Sequence, residues 1–145
     1  MAVDNELGTQ MVRWRHALHQ FPETGFNEHR TSGFVAKALE LMGLQVHRDI
    51  GGTGVVASLT VGDGAGVIGL RADMDALAMT EAADGRAHIS RNTGCMHACG
   101  HDGHMAMLLG AAQILTRQRD FNGTVRFIFQ PAEEPGRGAK ARSQK

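Results

Sequence analysis

Two runs of strand-forming residues, Val67–Arg71 (VIGLR) and Thr124–Phe129 (TVRFIF), each lead within a few residues to a pair of acids. Asp73 and Asp75 follow the first, and Glu133 and Glu134 follow the second. Acids placed there converge beyond the carboxyl ends of strands, where α/β sheets bind ligands without disturbing their core. That pattern restricts the chain to folds in which a sheet presents its strand ends to a shared site.

The remaining periodicities supply the other layers. Leu7, Met11, Trp14, Leu18 and Phe21 recur at spacings of three and four, so a helix is expected from Glu6 to Gln20, ended by Pro22. A second is expected from about Asn27 to Met42, with Phe34, Val35, Ala38, Leu39 and Met42 as its apolar stripe and Gly43 as its stop. Short β-rich runs follow at Leu44–His47, Val55–Val61 and Val67–Arg71, with Gly51–Gly54 read as a turn. That glycine cluster lacks the spacing and the Lys of a phosphate loop. The segment Gly62–Gly66 between the second and third runs reads as a hairpin turn. From Asp73 to Cys99 no period is sustained, and so long an irregular stretch inside a domain is usually functional. Met105, Leu108, Leu109, Ala112 and Leu115 mark a third helix from Asp102 to about Gln118, and Asn122-Gly123 turns the chain into the last strand. The order α, α, β, β, β, α, β predicts an α/β fold, a mixed sheet with flanking helices.

Composition narrows the function. With 145 residues, 42% of them apolar, and 15 basic against 15 acidic groups, the chain suits one globular domain rather than a disordered segment. No apolar run approaches the roughly 18 residues of a membrane span, and the N-terminus has no signal-peptide pattern, so a cytoplasmic protein is expected. Zero net charge argues against nucleic-acid or membrane partners. The charge is uneven: four basic groups fall in the last nine residues, leaving residues 1–136 with 11 positive and 15 negative charges. Without an aromatic, that tail is weak ground for an acidic partner.

The densest chemistry lies at His97-Ala98-Cys99-Gly100-His101-Asp102-Gly103-His104, where three His, one Cys and one Asp meet two Gly at the start of the third helix. Thiolate and imidazole suit zinc and other borderline divalent ions, and carboxylates complete such sites. Cys99 with His101 therefore reads as a metal-ligand pair, whereas His16, His19, His29, His47 and His88 taken singly read as ordinary buried or solvated residues. Two cysteines form no disulfide framework, and Cys95 and Cys99 are not spaced as a Cys-x-x-Cys redox pair. Asp73 and Asp75 alone could be turn formers, and Glu133-Glu134 a solvated charge pair. Adjacent acids can instead divide labour, one binding metal while the other takes a proton.

Four segments in order carry a family resemblance: Arg15-His16-Ala17-Leu18-His19-Gln20-Phe21-Pro22-Glu23, Gly69-Leu70-Arg71-Ala72-Asp73-Met74-Asp75-Ala76-Leu77, His97 to His104, and Phe129-Gln130-Pro131-Ala132-Glu133-Glu134. Together they resemble the metal-dependent N-acyl-amino-acid amidohydrolases, a group that includes hippurate hydrolase and the plant auxin-conjugate hydrolases within the aminoacylase and carboxypeptidase superfamily. The resemblance implies the N-terminal part of a zinc-peptidase-like catalytic domain acting on small N-acyl-amino acids. It implies that Cys99, His101 and Glu134 bind a pair of divalent ions, whether zinc, manganese, cobalt or nickel. Glu133 would be the general base that activates the attacking water and later protonates the leaving amine. Asp75 would support the metal site by orienting a ligand, and Asp73 stands where other branches have a metal-binding His.

There are departures. Asp75-Ala76-Leu77-Ala78-Met79 replaces the usual Asp-Ala-Leu-Pro-Ile, which loosens a loop without touching a ligand. Family members are far longer, with an inserted lid or dimerisation domain that makes a homo-oligomer possible for the full-length protein, and later chain that provides further His ligands. Residues 1–141 are thus expected to be a partial catalytic domain and Arg142–Lys145 a basic tail foreign to the family. Such a fragment is expected to be inactive alone and to leave the apolar faces of Val67–Leu70 and Val125–Phe129 uncovered. The rival readings are a non-catalytic metal-binding or interaction remnant and a thiol redox protein using Cys95 and Cys99.

Overall fold

The computed structural model describes residues 4–136 and 138, so the expected tail at Arg142–Lys145 lies outside the described residues. Three helices and four strands follow in the expected order: α1 (Asn5–Gln20), α2 (His29–Leu41), β1 (Gln45–Ile50), β2 (Gly54–Val61), β3 (Val67–Asp73), α3 (His101–Gln118) and β4 (Gly123–Gln130). Local chemistry explains the helix ends. Asp4 caps α1 by accepting the Leu7 N–H at 2.7 Å. α2 has no cap of its own. Instead the Glu23 carboxylate accepts from the N–H groups of Arg30 and Thr31 at 3.1 and 2.8 Å, and from the Thr31 hydroxyl. Gly43, at φ +80°, closes α2 as expected.

The strands lie in the order β1-β2-β4-β3. β1 pairs antiparallel with β2, β2 antiparallel with β4, and β3 parallel with β4. This corrects the hairpin expected at Gly62–Gly66, because β4 inserts between the two strands that this segment joins. The linker clasps the start of β4 instead: Gly64 N–H donates to Asn122 Oδ1 at 2.7 Å, and Thr124 N–H donates to Gly66 O at 2.8 Å. Gly123 sits at φ +140°, and a Cβ there would meet Gly66 O at 2.6 Å, so only glycine fits the crossing. β4 takes a central place because its alternate residues Val125, Phe127 and Phe129 are the bulkiest apolar series in the sheet.

α2 packs on β1 and β2, α3 packs on β3 and β4, and α1 packs against α3. Val55, Ala57, Leu59, Ala72, Phe127 and Phe129 meet Val35, Leu39, Met105, Leu109 and Ala112 in one core. The expectation of an uncovered Val125–Phe129 face is therefore corrected, since the helices bury these side chains. Val67 and Ile68 on the outer strand β3 are each 60% exposed.

Parallel pairing requires a long connection, here the irregular segment and α3. It places the carboxyl ends of β3 and β4 side by side, with Asp73 opposite Gln130 in the register.

Candidate metal centre

Both acid pairs leave the sheet at this shared end, and the first turn of α3 returns to meet them. The irregular segment is pinned at its ends: Ala76 N–H donates to Glu23 O at 2.8 Å, and Leu77 and Met96 exchange two N–H···O bonds at 3.0 Å. Gly100, at φ +80°, turns the chain into α3 and makes His101 its first residue. On the other strand, buried Glu28 accepts the Ala132 N–H at 2.8 Å and the Thr53 hydroxyl, fixing the turn that presents Glu133 and Glu134. Asp75 ties the halves together by accepting the Glu134 N–H at 2.9 Å.

His101 is the hub. Its Nδ1–H donates to Asp75 O at 2.8 Å, which leaves Nε2 facing Asp73 Oδ2 at 3.5 Å and one oxygen each of Glu133 and Glu134 at 3.9 Å. The donor atoms of Cys99, His101 and Glu134 all lie within 4.8 Å of one another. Asp73, His101 and His104 form a second such group. Asp73 also accepts from His104 Nδ1 at 2.6 Å and from Arg71 at 3.0 Å. The structure thus brings together every site residue expected from the sequence: Asp73 and Asp75 buried, Glu133 and Glu134 partly open to solvent, Cys99 exposed.

The electrostatics show what kind of ligand the centre favours. Burial opposes a charge on His101, yet the Asp75 and Asp73 carboxylates outweigh it and push the imidazole up to about 9. The Cys99 thiol is pushed up by its hydrogen bond to Glu134, by burial and by the nearby carboxylates of Glu134, Glu133 and Asp73. Asp75 is resisted by burial but held below its ordinary range by His101 and by the N–H groups of Glu134 and Glu133. Its Oδ1 is buried without a hydrogen-bond partner. A proton on His101 thus holds a position of negative potential that a divalent cation would fill, and such a cation would also favour the Cys99 thiolate. Thiolate, imidazole and carboxylate together suit zinc and its borderline neighbours.

His104 joins the centre although the sequence assigns it no role. Its spacing of three from His101 on one helix was the available signal. Glu28 and Thr53 gave none, because their partners come from distant parts of the chain. Cys95 and Cys99 are both free thiols.

The pattern of peptidase family M20/M25/M40 matches residues 69–144, more than half of the chain. The chain belongs to this family. It is 46% identical over 136 residues to hippurate hydrolase of Campylobacter jejuni, covering 94% of this chain and 35% of that protein. It is 45% identical over 132 residues to an N-acyl-L-amino acid amidohydrolase of Geobacillus stearothermophilus, covering 90% and 35%. Its fold matches a Bacillus subtilis protein described as a dinuclear metal-binding peptidase of the M20 family, with a TM-score of 0.92 and 38% identity, over 98% of this chain and 40% of that one. The M20 chain therefore spans about a third of the length of these curated relatives. Among its described residues, no helix is long and apolar enough to cross a membrane.

Proposed function

We propose that this M20 chain carries the metal-binding half of an amidohydrolase active site that splits N-acyl-amino acids, hippurate-like substrates among them, into a carboxylate and an amino acid. The observation that carries the reading is the convergence of Cys99, His101 and Glu134, with Glu133 beside them and left out of both three-donor groups. Divalent ions bound there, a pair in the complete enzyme, would supply Lewis acidity toward the amide carbonyl and lower the pKa of a water. Cys99 Sγ, His101 Nε2 and the Glu134 carboxylate would hold one such ion. Asp75 keeps His101 in the tautomer that frees Nε2, through the bond from Nδ1–H to its carbonyl oxygen. Glu133, 42% exposed, takes one proton from the attacking water. As the C–N bond breaks and the hydroxyl joins the acyl carbon, Glu133 returns that proton to the leaving nitrogen.

Both donor groups include His101, whose Nδ1 is engaged by the Asp75 carbonyl, so among the described residues one ion at a time can take its free nitrogen. The test pairs two variants. In a full-length context Glu133→Gln keeps its metal and loses roughly 10²–10⁴-fold in turnover of N-acetyl and N-benzoyl amino acids, whereas Glu134→Gln loses metal. The reverse pattern in metal analysis and kinetics would overturn the assignment.

A further inference from the structure

A second cluster of titratable groups, which the chemistry above leaves unused, lies where the last turn of α1 meets the first turn of α3. His19, buried, sits between two carboxylates: its Nδ1 is 2.9 Å from Asp102 Oδ2 and its Nε2 is 2.9 Å from Glu81 Oε1. The three side chains are 5%, 1% and 4% exposed. Each ring nitrogen thus stands at hydrogen-bond distance from a different carboxylate, and the ring bridges the two. Asp102 also accepts from Arg15 at 3.2 Å. Glu81 also accepts from Arg86 at 3.0 Å and from the Ser90 N–H at 2.6 Å. Burial opposes ionisation of both acids, but the bonds to His19 together with the Ser90 N–H and Arg86 at Glu81, and with the neighbouring cationic groups at Asp102, outweigh it and hold them below the ordinary carboxylate range.

The ends of this clamp matter. Asp102 is the residue after His101, and Glu81 belongs to the irregular segment that delivers Cys99. Next to the clamp the interior is poorly satisfied: Asp102 Oδ1 and both ring nitrogens of His97 are buried without partners. Burial pushes His97 down to about 4, so it stays neutral beside the clamp. His88 stands edge-on to His19 at 5.7 Å and stacks on His16 at 3.9 Å. A buried ionic triad is rarely the most stable filling for its space, but it fixes geometry because breaking one partner strands a charge.

We propose that His19 is a positioning residue that, by bridging Glu81 and Asp102, sets the Cys99–His101 donor segment against the strand ends bearing Asp73, Asp75 and Glu134. The inference rests on the metal-centre reading above. It is tested on the 145-residue chain by titration with Co²⁺, following the thiolate-to-cobalt absorption, for the parent, His19→Gln and Glu81→Gln. Glutamine at 19 reaches one carboxylate but not both, and glutamine at 81 keeps an oxygen for His19 while removing the charge. The expected result is a Co²⁺ affinity lowered about tenfold to a hundredfold in His19→Gln, with an altered absorption envelope and cooperative unfolding retained in chelator. Glu81→Gln shows a smaller loss in the same direction. If the parent shows no thiolate band, the metal-centre reading fails and takes this inference with it. If the parent shows the band and both variants keep its affinity and shape, the inference alone is overturned. If His19→Gln does not fold, the spectrum of Glu81→Gln decides. Unfolding of both counts against positioning, which requires a folded chain with displaced donors.

Discussion

Taking the metal-free chain from about pH 6 to about pH 9.5 removes the proton that holds His101 among its carboxylates. The imidazole is raised from 6.5 to about 9, and His101 is buried, so solvent does little to screen it. Below 6.5 the folded and unfolded chains both carry this proton, and its stabilisation is fully present. Between 6.5 and about 9 only the folded chain keeps it, so stability falls as the pH rises, by about 1.4 kcal/mol per unit and roughly 3 kcal/mol in all. Urea unfolding in chelator, across this window, measures the effect against His101→Gln, which lacks the titrating group. The parent curve should fall toward that of the variant as the pH approaches 9. Parallel curves would refute the reasoning. Saturating zinc should reverse the slope at this residue, because the ligand must be deprotonated to bind.

Phe127→Ala, which empties a fully buried position under the helices, should cost about 3–5 kcal/mol by urea unfolding. Gly123→Ala should destabilise by more than about 1 kcal/mol, since its φ of +140° and the nearby Gly66 carbonyl both exclude a Cβ. The purified 145-residue chain, given zinc, manganese or cobalt, should release no amino acid from N-acetyl or N-benzoyl amino acids. Turnover comparable with an intact relative, and lost in Glu133→Gln, would contradict the one-ion argument.

The three helices were legible to within about two residues, because apolar spacing, Pro22 and Gly43 act locally. The convergence of Asp73, Asp75, Glu133 and Glu134 was legible too, since acids following strands have few places to go. The strand order was not. Gly62–Gly66 has hairpin chemistry, and nothing within it records that Thr124–Phe129, some sixty residues on, slips between the strands it joins. The centre divides in the same way. Cys99 and His101 announced themselves by proximity in sequence, while the His104–Asp73 bond needed α3 to pack against the end of β3. His19 looked ordinary alone; its meaning depends on Glu81 and Asp102, which lie 62 and 83 residues away.

The central claim is that Cys99, His101 and Glu134 hold a divalent ion in this chain. Co²⁺ titration of the parent, Cys99→Ala and Cys95→Ala, with metal content measured after dialysis, tests it most directly. The account predicts one ion per parent chain, a thiolate-to-cobalt band lost in Cys99→Ala, and the same band retained at similar affinity in Cys95→Ala. Equal loss in both cysteine variants, or a parent chain that binds cobalt without any thiolate band, would contradict it.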